Sequence, residues 1–170
     1  VVDGTKVFEF VSTGLLDAGT RLISAATGVI GATAGFALPS AHAGFTNAAV
    51  AGCPASQTAS TFVIPVTGLK VGQRITAWSL VGQVESAGNT ATVDGDLRKL
   101  TVAAANITDA SIGAITQVSA TADAAIASSK TLATPEVVAA DEQYYVVVTV
   151  TTAASTDVQI AGITVTTDVV

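Results

Sequence analysis

Charge is what this sequence has least of. Asp, Glu, Lys and Arg make up 12% of its 170 residues, against about 25% in an ordinary soluble domain. From Leu22 to Leu69 there is not one such residue. Aromatics are 5%, methionine is absent, and there is a single cysteine and a single histidine. Each scarcity excludes something. Cys53 alone cannot close a disulfide within the chain, and with His42 alone it cannot supply a thiolate–imidazole metal site. A net charge of −6 without any basic stripe repels phosphate backbones, so no nucleic-acid partner is expected. His42 is the one side chain that titrates near neutrality unaided, and it has no acidic neighbour in sequence. No G-x-S-x-G is present, although a triad assembled from distant residues leaves no such mark. The expectation is a protein that is not an enzyme and has no cofactor.

What is present points to β structure. Hydrophobic residues are 49% and mean hydropathy is +0.60, and the apolar content is Ala and Val with Thr and Ser between. Val and Thr are branched at Cβ and suit a pleated sheet. The length fits one domain able to bury roughly two thirds of its unfolded surface. So little charge means an uncharged surface toward water, or a surface hidden against partners as in permanent assemblies. With Val1 first and no Met, the initiator is expected to have been removed by an aminopeptidase or a processing protease.

Two parts are expected: an uncharged N-terminal arm or assembly segment over 1–60 and a β-sandwich domain over 61–170. The arm has few large side chains. Burial at ~25 cal/mol per Å2 would hardly offset the ordering cost if it folded alone. Its larger apolar residues, Leu22, Ile23, Val29, Ile30, Phe36, Leu38 and Phe45, are the candidate assembly interface. Two other readings of the same stretch are weaker. Leu22 to Leu38 followed by Ala41-His42-Ala43 imitates a signal peptide but starts too far into the chain. Gly28, Gly31 and Gly35 resemble a small-residue membrane-helix interface, but the run is barely long enough, rich in Thr and Ser, and ends at Pro39. No membrane partner is expected. The same glycines are not a phosphate loop, since no Lys-Ser/Thr follows them.

Alternation places the strands. Residues 7–11 form a short one, with Phe8 and Phe10 on one face. Residues 61–66 put Phe62, Ile64 and Val66 on one face, and Pro65 makes this an edge strand. Arg74 to Val84 follows, with Thr76, Trp78, Leu80 and Val84 sharing parity. Ser86–Asn89 reads as a loop. Ala91 to Val102 is interrupted by Asp94-Gly95-Asp96, read as a turn because two carboxylates fall short of a calcium site. Residues 112–118 and 131–133 are weaker strands, Ala120 to Ser129 is a short helix or an extended loop, and Asp141-Glu142 is a solvated loop. Tyr144 to Thr151 is the strongest strand, central or at an interface. In 158–165 the parity of Val158 and Ile160 differs from that of Ile163 and Val165, so a β-bulge is expected near Ala161-Gly162. The fold expected is all-β, an antiparallel β-sandwich or jelly-roll-like domain with an N-terminal extended arm. Cys53 reads as a small buried hydrophobe, and Trp78, Tyr144 and Tyr145 as core rather than a sugar site.

The runs FVIPVTGLKVGQRITAWSLVGQV, GDLRKL and VVAADEQYYVVVTVTTAASTDVQIAGITVTTD, with Gly68, Val71, Gly72, Ile75, Tyr144, Tyr145, Ile160, Gly162, Val165 and Thr166 at the marked positions, resemble small β-sandwich modules of tailed-bacteriophage virion proteins. The resemblance spans roughly the last 110 residues. It implies a virion structural protein: a capsid decoration (cement) protein, a head fibre or a tail component, often trimeric, with itself and the capsid shell as partners. The alternative is a tail/baseplate or adhesin-type carbohydrate-binding module, which requires an exposed Trp78 or Tyr145.

Overall fold

The structure, a computed structural model, describes residues 50–169 in full. Before them it describes, by backbone alone, β1 (Phe8–Val11), β2 (Gly14–Asp17) and β3 (Gly19–Ser24). Then come β4 (Ala51–Cys53), β5 (Gln57–Pro65), β6 (Gln73–Val102), β7 (Ile107–Ala114), β8 (Val118–Val137), β9 (Glu142–Thr152) and β10 (Thr156–Val169). All pairing is antiparallel, and no helix occurs among the described residues. The chain is all-β, as its Val- and Thr-rich composition demands.

The organising element is β6, a strand of 30 residues. Along one of its edges lie β7, opposite Asp96–Val102, and then β8, opposite Arg74–Val93. Along the other lie β9, opposite Ala91–Thr101, and then β10, opposite Gln73–Ser86. The result is a three-line ribbon. On one edge β7 gives way to β8 at 115–117, opposite residues 94–95 of β6; on the other β9 gives way to β10 at 153–155, opposite residues 87–90, where β6 itself bends and β8 runs past. There the step from Val84 to Ala91 on β6 faces only the step from Ala124 to Ala120 on β8, a surplus that bends the strand. Gly88 takes φ +97° in this bend, a conformation that costs glycine little.

The bend folds the ribbon onto itself. Lys99, near the far end of one half, bonds Glu136, near the far end of the other. The indole of Trp78 in the first half lies over Gly95 in the second, where a Cβ would come within 2.8 Å of its Cη2. The two layers are therefore β10, β6 (first half) and most of β8, with β3 and β4 added outside β10, facing β9, β6 (second half), β7 and the start of β8, with β5 added outside β9. This is a sandwich made by folding one sheet in the manner of a jelly roll. Its core is the set of inward positions: Ile75, Trp78, Leu80, Val158, Ile160 and Ile163 from one layer; Phe62, Ile64, Val93, Leu97, Val146, Val148 and Val150 from the other.

Much of the alternation reads through. Tyr144, Val146, Val148 and Val150 are buried on β9, which lies between β5 and β6. Pro65 is on the terminal strand β5. The bulge in β10 falls between Ile160 and Gly162, so Val158, Ile160, Ile163 and Val165 all point inward.

Four expectations are corrected. Asp94-Gly95-Asp96 is not a turn but uninterrupted strand, paired with Val147–Thr149 of β9; the glycine is there to admit the Trp78 ring. Ser86–Asn89 is a bulged bend inside β6 rather than a loop. Ala120 to Ser129 is strand, held by pairing with β6 rather than by its own apolar content. Thr76 is only half-buried, because a register shift between Ile75 and Ala77 turns Ile75 inward instead. The sheet also takes in residues placed in the arm: β4, with Ala51 and Cys53 fully buried, and β5 from Gln57 onward.

Candidate functional site: a sheet edge and a polar outer face

The edge of the first layer is built from β3, whose last three residues begin the uncharged stretch, and β4, which lies within it. On β10, Ser24 stands opposite Gly162 and Ala51 opposite Ile160. Strands β3 and β4 thus continue one line along the same edge, at the bulge of β10. Two positions of strand correspond to about 7 Å. Residues 25–50, which carry no charge, leave this line at Ser24 and rejoin it at Ala51. They are tethered at both ends. Of the candidate interface residues, Leu22 and Ile23 lie in β3, opposite Thr164 and Ile163; Val29, Ile30, Phe36, Leu38 and Phe45 lie outside the described residues, as does His42.

Beside this edge, Cys53 is buried, and burial pushes its thiol up to about 11, in spite of hydrogen bonds with Ser60 and Thr152 that act the other way. It is an inert core side chain rather than a nucleophile.

The open end of the sandwich is closed by a polar clamp. Lys99 Nζ donates to Glu136 Oε1 at 2.5 Å and to Glu142 Oε1 at 2.7 Å. The Tyr144 hydroxyl donates to Glu142 as well, and the Ala139 amide donates to Glu142 Oε2 at 3.1 Å. Burial alone would raise the Glu142 carboxyl, but hydrogen bonds from Lys99, Tyr144 and Ala139 outweigh it and hold it below its ordinary range. Glu142 is thus a tied residue, not the solvated loop side chain expected. Tyr144 is buried, with its hydroxyl titration raised by burial and by the two carboxylates.

The outer face of the second layer carries a second network. The period-2 positions Asp94, Asp96 and Arg98 of β6 all point outward, opposite Thr149, Val147 and Tyr145 of β9. Arg98 Nη1 donates to Asp96 Oδ2 at 2.8 Å and Nη2 to Asp109 Oδ2 at 3.0 Å. Ser111 Oγ donates to Asp96 Oδ1 at 2.6 Å, Tyr145 OH to Asp109 Oδ1 at 2.6 Å, and Gln117 Nε2 to Asp94 Oδ2 at 2.8 Å. Hydrogen bonds from Arg98 and Tyr145 hold the Asp109 carboxyl below its ordinary range. Alongside runs a groove of about 410 Å3, lined by Asp94, Asp96 and Arg98 with Ala114, Val147 and Thr149.

Of the aromatic trio, Trp78 is 1% exposed, its Nε1 donating to the Gly113 carbonyl at 2.8 Å, and Tyr144 is 5% exposed. Only Tyr145 reaches the outer face. Arg98 and Asp109 were not singled out in the sequence. Spacing was the signal available: Asp94-x-Asp96-x-Arg98 puts three charges on one face of a strand, and reading Asp-Gly-Asp as a turn hid it. Among the described residues, no three His, Cys, Asp or Glu side chains converge on a metal-sized site.

No family model matches the chain, and no curated protein matches it. Among solved structures it is similar to one described as "CBM4 structure and function", with 14% identity over 88% of this chain and 86% of that one, at a TM-score of 0.41. It is also similar to the enzymatically active domain of tailspike protein 4 of bacteriophage CBA120. There the identity is 12% over 89% of this chain and 19% of that one, at a TM-score of 0.32. Both scores are too low to define a function.

Proposed function

We propose that this chain is a structural, non-catalytic component of a tailed-phage virion, acting as a capsid decoration protein through subunit–subunit packing. The observation that carries the reading is the tethering of the uncharged stretch 25–50 at two neighbouring points of one sheet edge. A stretch so poor in large side chains gains little from folding on itself, and its natural use is contact with other protein. Anchoring both ends limits the entropy lost when it is laid on a partner. Apolar contact depends weakly on salt, so the tie survives ionic change.

The long edge strand β8 supports the same reading. Over 20 residues it pairs only with β6 among the described residues, and its side chains are mostly small and exposed. An open edge of that length is ordinarily covered or paired. The partners in this reading are further copies of the chain, as a homotrimer, and the capsid shell; the location is the virion. Light scattering on the full chain tests it. A trimer is the expected result, and a monomer throughout the micromolar range would overturn the proposal.

A further inference from the structure

The outer face of the second layer has more order than a solvated sheet surface needs. Five side chains, Tyr145, Asp109, Arg98, Asp96 and Ser111, form one hydrogen-bonded chain, and Gln117 fixes Asp94 beside it. Holding long polar side chains in one rotamer costs entropy, and exposed ion pairs return little stability. Asp96 and Arg98 are only about a quarter exposed, at 24% and 28%. Preorganisation of this kind is what a recognition surface requires.

We propose that this groove binds a neutral, hydroxyl-rich saccharide. Asp94, Asp96 and Asp109 against Arg98 leave the face net negative, which disfavours phosphates, sulfates and uronic acids. Sugar hydroxyls both donate and accept. A pair of adjacent hydroxyls can donate to the Asp94 and Asp96 carboxylates while accepting from the Arg98 N–H groups that remain. Those carboxylates and the guanidinium stand at successive outward positions of one strand. Val147 and Ala114 supply an apolar floor for the C–H face of a ring, with Thr149 beside them, and a volume of about 410 Å3 holds a short oligosaccharide. The Tyr145 hydroxyl keeps Asp109, and through it Arg98, in place. This ligand site lies on a different face from the edge used for assembly and does not depend on it.

Affinity electrophoresis of the full chain in gels containing mannan, xylan, galactan or dextran tests the proposal. Retardation is expected in at least one gel. Asp94→Ala, which releases only the Gln117 amide, should weaken it at least tenfold at an unchanged melting temperature. Tyr145→Phe should weaken it by a smaller factor. Glu85→Ala, on the outer face of the other layer, should leave it as it was. No retardation in any gel, retardation indifferent to Asp94→Ala, or binding to polylysine but to no polysaccharide would each overturn it. None of these outcomes bears on the oligomeric state, so the two proposals fail separately.

Discussion

The two layers of the folded ribbon are made from the same three lines of strand, yet their inner and outer faces follow different rules. Inward, the layers are alike: Ile75, Leu80, Val158 and Ile163 on one, Val93, Leu97, Val146 and Val148 on the other, all at or near zero exposure. Outward they part. The first layer shows short neutral groups, such as the Ser79–Thr164 hydroxyl pair at 2.5 Å, and scattered pairs such as Arg74 with Asp168 at its end. The second strings its charges into one chain from Tyr145 to Ser111. Shape and volume dictate the inside. The outside is free to specialise, and each layer has done so differently: one carries Ser24 and Ala51, the two ends that flank the uncharged stretch, on its edge, the other a polar groove on its face.

The two layers meet at Trp78 and Gly95. Trp78 is the largest buried side chain, and Trp78→Ala should cost about 3–5 kcal/mol, read by urea unfolding. A loss under about 1 kcal/mol would mean that the layers do not meet as described. Gly95→Ala tests the same contact from the opposite side, because the new Cβ would lie 2.8 Å from the indole. About 1–3 kcal/mol of destabilisation is expected, largely absent when Trp78 is already Ala. Equal losses in both backgrounds would show that the glycine is needed for some other reason.

These two residues also show what was legible in the sequence and what was not. Alternation along Tyr144–Val150 and the parity break at Gly162 could be read because large side chains mark their face at every second position. The same reading failed at Asp94-Gly95-Asp96. Local chemistry there favours a turn, and the reason for strand lies 17 positions away at Trp78. It failed again at Ala120–Ser129, whose small side chains mark no face and whose conformation is imposed by pairing with β6. The polar outer face was half legible: Tyr145 could be named as an aromatic, but Asp109 reaches Arg98 and Tyr145 only after β7 has folded back along β6. The meeting of Ser24 and Ala51 on one sheet edge was not legible, since it depends on which strand β3 and β4 both join.

The end of the sandwich away from the bend is held by charge. Lys99→Ala leaves Glu136 and Glu142 without their cation. It should cost about 1–2 kcal/mol, between the values for exposed and buried pairs. Glu142 and Asp109 are held below the ordinary carboxylate range. Their contribution is therefore present above the unfolded-state value and is lost as pH falls through the folded one. The melting temperature should be level near neutrality and drop from about pH 5 to about pH 3. Glu142→Gln should lower the neutral plateau slightly and flatten that acid limb. A limb unchanged by this substitution would place the acid sensitivity elsewhere.

If the uncharged stretch joins molecules, as proposed, it is dispensable to the sandwich. Residues 25–50 can be excised and Ser24 linked to Ala51 through a short Gly-Ser bridge, since the two ends sit about 7 Å apart along β10. Light scattering together with a thermal melt of this variant is the most direct measurement. A trimer is expected of the intact chain, and of the excised variant a folded monomer with nearly the same melting temperature. An excised variant that still forms the trimer, or one that no longer folds, would contradict the proposal.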